Sequence, residues 1–548
     1  MNDTFFQRAG LGVFAVACGF IMVTSGCGGG GGSNNNNNDG GSDGPTSLEA
    51  PVVHQVGNAS SGRDVFRFET FGNEAFWTDA IRLPAGIIAT NFSPLKALRA
   101  GLQVDSDALD AATLAAIGAE LKTDLSPANA PLLNDYRTTL KLINANAIVG
   151  IVPKDTNGDG VIDVTKGDKT GATCALCHTV TDASVFNLPG GGSIGKRQDG
   201  RAAHTLDFGS LLALGTNSRA YFPVLQLALD ANGGKTLGRA PTGLTKNSTE
   251  AEVDAYLTNK DYYPVGTFDD TFDGNGDPMH NSALFRTDLA APWGTEGTIA
   301  RLDNFSNLVY TGLLDPTGIT TANGRAFVRK LGGRAAGDEI VDSYIQVLAE
   351  TGVTGYPFVR ATASATPGTE EAPLGVRVDN QKLLDMNAYL NSLQAPKGVV
   401  TNADSRARGR QLFRTTGGCT ACHNVDQSKP VPAFVVPMKT IFPGDNPVVL
   451  LAQRDPPLNP ILNTAENIFD DKMAVVNASI RGSIRGTVMP LLLDLARKPN
   501  FLHDNSVPNL DTLLNPSRGP NAPHPFYFAD VANRADMVEF LRGLDTTN

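Results

Sequence analysis

Cys174-Ala-Leu-Cys177-His178 and Cys419-Thr-Ala-Cys422-His423 are the two stretches of this 548-residue sequence that decide its fold. Each carries two cysteines three positions apart with a histidine directly after them, which is the spacing of a c-type haem attachment motif. Two thiols at this spacing reach the two vinyl groups of one porphyrin, and the adjacent histidine lies under the iron as its proximal ligand. The sequence therefore predicts two covalently bound haems, with His178 and His423 as metal ligands.

The positions of the cysteines in the chain support this interpretation. The chain has six cysteines, and only Cys18 and Cys27 lie outside the two motifs. Disulfides would not require a histidine after both pairs, and a zinc site would require the two motifs to meet in space. Both alternatives stay open, but the repeated spacing favours haem.

The first residues indicate an export signal. Arg8 precedes an apolar run over residues 11–23, which is shorter than the roughly 20 residues that span a bilayer. Small residues then lead to Cys27, as at the cleavage site of a bacterial lipoprotein. We expect residues 1–26 to be a lipoprotein signal peptide, and an ordinary cleaved signal peptide is the alternative.

Residues 27–47 are rich in Gly and Asn and predict a flexible tether after the lipidated cysteine. Gly28, rather than Asp, follows Cys27, which favours the outer membrane, facing the periplasm or the cell surface. The membrane is then a partner only through the lipid anchor. The formal net charge of −11 argues against nucleic acid, because binding phosphates requires clustered Lys and Arg. The negative net charge is compatible with docking of a small basic electron carrier as a partner.

The same helical face occurs at two places in the chain. In Lys382–Leu393 and in Arg534–Asp545, an apolar face at i, i+3, i+4 and i+7 begins with a methionine followed by an aromatic residue. Both segments resemble the C-terminal helix of a cytochrome c fold. A predicted helix over Ala403–Phe413 leads to the second motif, as the N-terminal helix of such a fold would.

Pro, Gly and Asn interrupt the helical pattern near residues 396–402 and predict a boundary there. We expect a mainly α fold with two cytochrome c-type domains. The first, over 48–395, is enlarged by long loop-rich insertions, and the second covers 396–548.

An Asp-rich loop precedes the first motif. Asp155, Asn157, Asp159 and Asp163 occupy positions 1, 3, 5 and 9 of a calcium loop, with Gly at position 6. Position 12 is Lys166 instead of Glu, so the loop is not a full EF-hand. The pattern predicts calcium, and a solvated turn of Asx residues is the alternative.

The second axial ligand of each iron decides between electron transfer and chemistry on small molecules. A second protein ligand blocks the iron, whereas an open position admits oxygen or peroxide. For the first haem the nearest candidate is His204, followed by Met279 and His280. For the second haem the candidates are His503, His524 and Met489.

One further segment resembles a known family. Phe501-Leu-His503-Asp504-Asn-Ser-Val-Pro-Asn-Leu-Asp-Thr-Leu-Leu514 is similar to the Tyr-x-His-Asp-Gly-Ser-x-x-Thr-Leu segment of bacterial dihaem cytochrome c peroxidases. The same superfamily includes the dihaem rubber oxygenases, which the Ser-Val-Pro form favours. Asn505 replaces the family's Gly, and no methionine lies between His503 and Met537, where the peroxidases take a Met ligand.

The resemblance implies that one haem receives electrons while the other meets hydrogen peroxide or oxygen. It implies His178 as the ligand of the reactive iron, with a far face that is open or is opened by loss of His204. His503 and Asp504 would tune or ligate the second haem. Trp293 would be the aromatic residue between the haems, and a Trp packed under a loop is the alternative.

Three functions follow as expectations. The first is a dihaem oxidoreductase that reduces hydrogen peroxide with electrons from a small cytochrome or cupredoxin. The second is a non-enzymatic electron carrier with both irons six-coordinate. The third is a haem dioxygenase of the rubber-oxygenase type, which requires an open oxygen site and an apolar pocket.

Overall fold

The computed structural model describes residues 57–424, 426, 435–437 and 486–546, apart from 235, 237, 270, 277, 291–292, 295–298, 503, 521 and 523. The predicted signal peptide, the tether and the candidate ligand His503 lie outside the described residues. Among the residues described, no helix is long and apolar enough to cross a membrane.

Helices dominate the described part of the chain, so the predicted mainly α class is confirmed. The α-helices are α1 (Ala59–Phe68), α2 (Leu83–Ala89), α3 (Pro94–Arg99), α4 (Ala111–Glu120), α5 (Tyr136–Asn144), α6 (Ala175–His178), α7 (Phe208–Leu214), α8 (Glu250–Thr258), α9 (Leu302–Leu308), α10 (Ala322–Gly332), α11 (Arg334–Glu350), α12 (Asn380–Ser392), α13 (Ala403–Arg414), α14 (Leu510–Leu513) and α15 (Val531–Arg542). Two short π-helices cover Phe76–Ala80 and Val309–Leu313.

The strands are short and form small separate sheets. They are β1 (Val104–Asp105), β2 (Ile151–Lys154), β3 (Lys169–Ala172), β4 (Thr179–Thr181), β5 (Phe186–Asn187), β6 (Ser193–Gly195), β7 (Arg197–Asp199), β8 (Thr267–Phe268), β9 (Met279–His280), β10 (Val435–Pro437) and β11 (Gly486–Val488). One sheet has the order β1-β6-β5, with β1 parallel to β6. The pairs β2–β3, β4–β7, β8–β9 and β10–β11 are antiparallel.

Helices α1 and α12 cross at very close range although they are far apart in the chain. A Cβ atom on Gly62 of α1 would lie only 1.8 Å from the carbonyl oxygen of Asp385 in α12, so no larger residue fits at this crossing. One turn later Phe66 contacts Tyr389, with ring centres 5.8 Å apart. The amide of Asn58 before α1 also donates to the Asp385 carboxylate at 2.7 Å.

Helices α13 and α15 repeat this arrangement. A Cβ atom on Gly409 would lie 2.0 Å from the carbonyl oxygen of Asp536, and Phe413 contacts Phe540 with ring centres 5.3 Å apart. Gly-x-x-x-Phe on the first helix therefore meets an aromatic residue on the second helix in both pairs.

The predicted helices agree with the structure, with small changes at their ends. Helix α12 covers the first of the two repeated segments, and α13 covers the helix before the second motif. Helix α15 begins at Val531 and ends at Arg542, three residues before the predicted positions at both ends, because Asp530 caps it by accepting from the amide of Asn533. Met386 and Met537 are buried core residues, as their helical spacing indicates.

Buried apolar residues form two clusters in the described part of the chain. The larger draws on residues 65–390 and the smaller on residues 413–544. The predicted boundary near 396–402 falls in the interval between them. Each cluster contains one of the two close helix pairs.

We expect the two glycines at the helix crossings to be essential for stability. Gly62→Ala and Gly409→Ala should each lower the free energy of unfolding by about 3 kcal/mol, because the added methyl group meets backbone that has no room to move. Gly118→Ala in α4, where a Cβ would meet nothing within 4 Å, should instead raise it by about 0.5–1 kcal/mol. Urea denaturation of the three variants tests this, and equal effects at all three positions would contradict it.

Candidate functional site

Each Cys-x-x-Cys-His motif forms one helical turn. The amide of His178 donates to the carbonyl of Cys174 at 3.2 Å, and the amide of His423 donates to the carbonyl of Cys419 at 2.9 Å. Residues i, i+3 and i+4 share one side of such a turn. The two thiols and the imidazole of each motif are therefore presented together, as attachment of one haem requires.

The first motif is held against the strands that precede it. The amide of Thr173 donates to the carbonyl of Gly150 at 3.0 Å, directly after β3 ends. Gly150 has a φ of +78°, and a Cβ there would lie 2.2 Å from the amide nitrogen of Leu176. Glycine thus lets the chain pass directly against the turn of the motif.

The imidazole of His178 is oriented by one hydrogen bond. Its Nδ1 donates to the carbonyl oxygen of Ser282 at 2.7 Å, so the proton is on Nδ1 and Nε2 keeps its lone pair. Burial lowers the pKa of His178 to about 4, although the contact with Ser282 raises it. The ring is therefore neutral at pH 7, and its bond to a backbone carbonyl is the outer support that metal-binding histidines commonly have. These properties fit a haem ligand.

Backbone contacts fix the surroundings of this histidine. The amide of Ala203 donates to the carbonyl of Cys177 at 2.9 Å, and the amide of Gly200 donates to the carbonyl of His178 at 2.8 Å. The side chain of Asn281 donates to the carbonyl of Ala203 at 3.0 Å. Asn281, directly before Ser282, is thus connected through Ala203 to Cys177 of the motif.

A buried aspartate connects this site to the crossing of α1 and α12. Asp199 of β7 accepts from Arg67 at 2.5 Å, from the Tyr389 hydroxyl at 2.6 Å and from the Thr179 hydroxyl at 2.9 Å. Thr179 follows His178 directly and pairs with Asp199 across the β4–β7 ladder. The helix pair therefore sets the position of the strand that leaves the motif.

The second motif lies among other rings. The ring centre of His423 is 6.4 Å from that of Phe413 and 6.4 Å from that of His524. Phe526, which is 36% exposed, lies edge-on to His524 with ring centres 5.0 Å apart. Successive ring contacts thus connect Phe413 of the smaller core with the exposed Phe526.

The spacing of His423 and His524 fits two ligands of one iron. Imidazole nitrogens bind metals at about 2 Å and each ring centre lies about 1 Å beyond its ligating nitrogen, so opposed imidazoles have centres about 6 Å apart. The Nδ1 atoms of both rings are buried without a hydrogen-bond partner among the residues described. Burial lowers the pKa of His423 to about 4. Burial, followed by the charges of His423 and Arg518, lowers the pKa of His524 to about 3, so both rings are neutral at pH 7.

Of the three candidates for this position, the structure brings His524 to His423. Met489 is buried, and His503 lies outside the described residues. No motif marks His524 in the sequence. Its one local signal is a proline on either side, which restricts the backbone around it.

His204 lies beside residues of the C-terminal part of the chain. Burial, followed by the positive charges of Lys498 and Arg201, lowers its pKa to about 3. No ring of another residue contacts His178 within the described ranges, so His204 does not lie against it as His524 lies against His423. Met279 and His280 form the half-buried strand β9. A ligand role for any of the three stays a prediction.

Asp504 forms an ion pair that joins the two parts of the chain. The residue is 1% exposed. Its carboxylate accepts a hydrogen bond from Arg239 and another from the amide of Ser506 at 3.0 Å. The side chain of the next residue, Asn505, donates to the carbonyl of Val265 at 3.2 Å. The segment that carries the family resemblance therefore contacts the large N-terminal part directly.

Trp293 is half-buried and contacts Phe305, with ring centres 6.3 Å apart. Its backbone pairs with Ile299, and its indole nitrogen is buried without a hydrogen-bond partner in the described part of the chain. A position between two haems stays a prediction for this residue.

The predicted calcium loop is a set of Asx turns. Asp155 accepts from the amides of Gly158 and Gly160 at 2.7 and 2.9 Å, and Asp163 pairs with Lys166 at 2.9 Å. Asn157 and Asp159 each accept from the amide two residues further on. Within the described ranges no group of three or more His, Cys, Asp and Glu residues is arranged to hold a metal ion, so calcium stays a prediction.

Comparison with known proteins assigns no family to this chain. No protein-family model matches it, and no curated protein matches it. Among solved structures, the chain is similar to hydrazine synthase from Kuenenia stuttgartiensis, pressurized with 20 bar xenon, at 13% identity over 60% of this chain and 91% of that one. The TM-score of 0.24 is too low for this likeness to carry an argument.

Substitution of His524 tests its role as a ligand. We expect His524→Ala to convert the second haem from low-spin to high-spin, since one axial position loses its imidazole, and His524→Met to keep it low-spin with a raised reduction potential. Electron paramagnetic resonance and redox titration measure both changes. His204→Ala serves as the control and should leave the second haem unchanged. An unaltered second haem in His524→Ala would show that another group binds that iron.

Proposed function

We propose that this protein is an exported dihaem c-type cytochrome that transfers electrons between its two haems and reduces hydrogen peroxide. The observation that carries the proposal is the difference between the two Cys-x-x-Cys-His turns. The ring centre of His524 lies 6.4 Å from that of His423, whereas no second imidazole lies within such a distance of His178 among the residues described. One site thus suits electron transfer and the other suits a reaction at iron.

The fold supports two cytochrome c-type domains, one large and one small. In each, a helix with Gly-x-x-x-Phe crosses a late helix that carries an aromatic residue, and the motif turn lies between the two helices in the chain. Two separate apolar clusters accompany these pairs. Because the crossings share their glycine and their aromatic pair, a repeated domain explains them better than two unrelated helix contacts.

At the second site the chain would hold the second haem iron. His423 and His524 would be its ligands, and the haem would supply reversible one-electron chemistry there. Phe413 contacts His423 from the core side, and Phe526 contacts His524 from the solvent side. The exposed residue Phe526 is a suitable entry point for electrons from a small donor cytochrome or cupredoxin.

At the first site His178 would ligate the iron through Nε2 while its Nδ1 donates a hydrogen bond to the carbonyl oxygen of Ser282. A histidine bonded in this way is a more basic ligand, which favours the oxidised iron. Reduction of hydrogen peroxide to two water molecules consumes two electrons and two protons. The electrons would arrive in turn from the donor through the second site.

A non-enzymatic electron carrier is the second candidate, favoured by the two imidazoles at His423. It requires a protein ligand on the far side of the first iron as well, with His204, Met279 or His280 as candidates. For either function we propose an outer-membrane lipoprotein, held through Cys27 by the tether.

The electronic spectrum of a tether-free protein, half-reduced and then treated with hydrogen peroxide, distinguishes the two candidates. We expect one low-spin and one high-spin haem, with rapid reoxidation by peroxide at the high-spin iron. Replacing Cys174 and Cys177 by Ala should remove the high-spin signal, and replacing Cys419 and Cys422 should remove the low-spin one. Two low-spin haems that ignore peroxide would instead identify an electron carrier.

A further inference from the structure

Tyr310, which lies outside both Cys-x-x-Cys-His motifs, contacts Cys174, the first cysteine of the first motif. The hydroxyl oxygen of Tyr310 lies 3.4 Å from Sγ of Cys174, and the sulfur is the hydrogen-bond partner that the structure shows for this hydroxyl. Tyr310 is completely buried, at 0% exposure, and its ring contacts Phe71 edge-on with centres 4.6 Å apart. A buried hydroxyl needs a partner, and here the partner is an atom of the predicted haem attachment.

The position of Tyr310 depends on an unusual helical turn. It lies in the π-helix Val309–Leu313, a rare geometry that often occurs at functional sites. The carbonyl of Leu313 accepts from the Tyr221 hydroxyl at 3.1 Å, and that of Leu314 accepts from the Trp77 indole at 3.1 Å. Two aromatic donors therefore hold the end of the turn that directs Tyr310 to the sulfur.

Haem attachment would reverse this hydrogen bond. The free thiol is the donor to the tyrosine oxygen. When the thiol adds to a vinyl group, a carbon–sulfur bond forms, the vinyl double bond becomes single and the thiol hydrogen passes to the neighbouring carbon, with no net transfer of electrons. The resulting thioether sulfur has no hydrogen and can only accept, so the Tyr310 hydroxyl becomes the donor.

We propose that Tyr310 raises the reduction potential of the first haem by donating its hydroxyl hydrogen to the thioether sulfur of Cys174. This inference rests on the proposed attachment of haem at that cysteine. The O–H dipole would direct its positive end at the edge of the haem, inside a buried region where water does not screen it. Such a dipole stabilises the added electron of the reduced haem, and hydrogen bonds near a cofactor are a known means of tuning its potential.

No equivalent contact occurs at the second site among the residues that the structure describes. Within the described ranges, no side-chain hydroxyl forms a hydrogen bond with Cys419 or Cys422, so the effect would act on one haem only. The Ser282 contact to His178 and the Tyr310 contact to Cys174 would then act in opposite directions on the same potential. The Ser282 contact would lower the reduction potential of the first haem, and the Tyr310 contact would partly offset that decrease.

Redox titration of the holoprotein tests the proposal. Tyr310→Phe should lower the potential of the first haem and leave that of the second unchanged. Replacing Tyr310 by 3-fluorotyrosine, whose hydroxyl is a stronger donor, should shift the first potential in the opposite direction, and this variant covers the case in which Tyr310→Phe does not fold. Tyr344→Phe is the matched control, because Tyr344 is also completely buried and its hydroxyl donates to the carbonyl of Ala220 at 2.8 Å.

The outcomes separate this inference from the proposed function. Opposite shifts of the first potential in the two Tyr310 variants, absent in Tyr344→Phe, would support it. Unchanged potentials in both Tyr310 variants, or an equal shift in the control, would overturn it while the dihaem assignment stands. Mass spectrometry of the wild-type peptide containing Cys174 provides the remaining check, since a peptide without haem would overturn the proposed function itself.

Discussion

The close crossing of α1 and α12 at Gly62 is the constraint on which the first site depends. Only a residue without a side chain lets the two backbones approach so closely. That approach places Arg67 and Tyr389 together, one from each helix, and both bind the Asp199 carboxylate. Asp199 in turn holds the strand that continues from His178. A backbone contact far from the motif thus determines where the imidazole lies.

The second site depends on an equivalent crossing, that of α13 and α15 at Gly409, but the contacts that lead from this crossing to the motif are different. Phe413, one turn after the glycine, contacts both Phe540 and the ring of His423, so the core meets the motif histidine directly. His524 then lies beside His423. One helix-crossing geometry therefore supports two sites with different surroundings, and in the proposed dihaem protein this difference would set a direction for electrons.

Burial has a similar chemical effect at both sites. It lowers the pKa values of His178, His423 and His524 far below neutral pH, so each imidazole has a free lone pair under ordinary conditions. The hydrogen bonds to the rings differ, however. His178 has the Ser282 carbonyl behind it, whereas the Nδ1 of His423 has no partner in the described part of the chain. Ligand basicity is thus a property of the surroundings, not of the motif.

The sequence by itself determined the features that depend on short spacings: the two Cys-x-x-Cys-His turns, the helices α12, α13 and α15, and the burial of Met386 and Met537. These follow from helical periodicity, which relates residues three or four positions apart. Only the tertiary structure decided that His524 contacts His423 across 101 positions of chain, that Asp504 pairs with Arg239, and that Tyr310 meets Cys174. Such partners come from distant segments, and their meeting depends on how the whole chain packs, which no local pattern encodes.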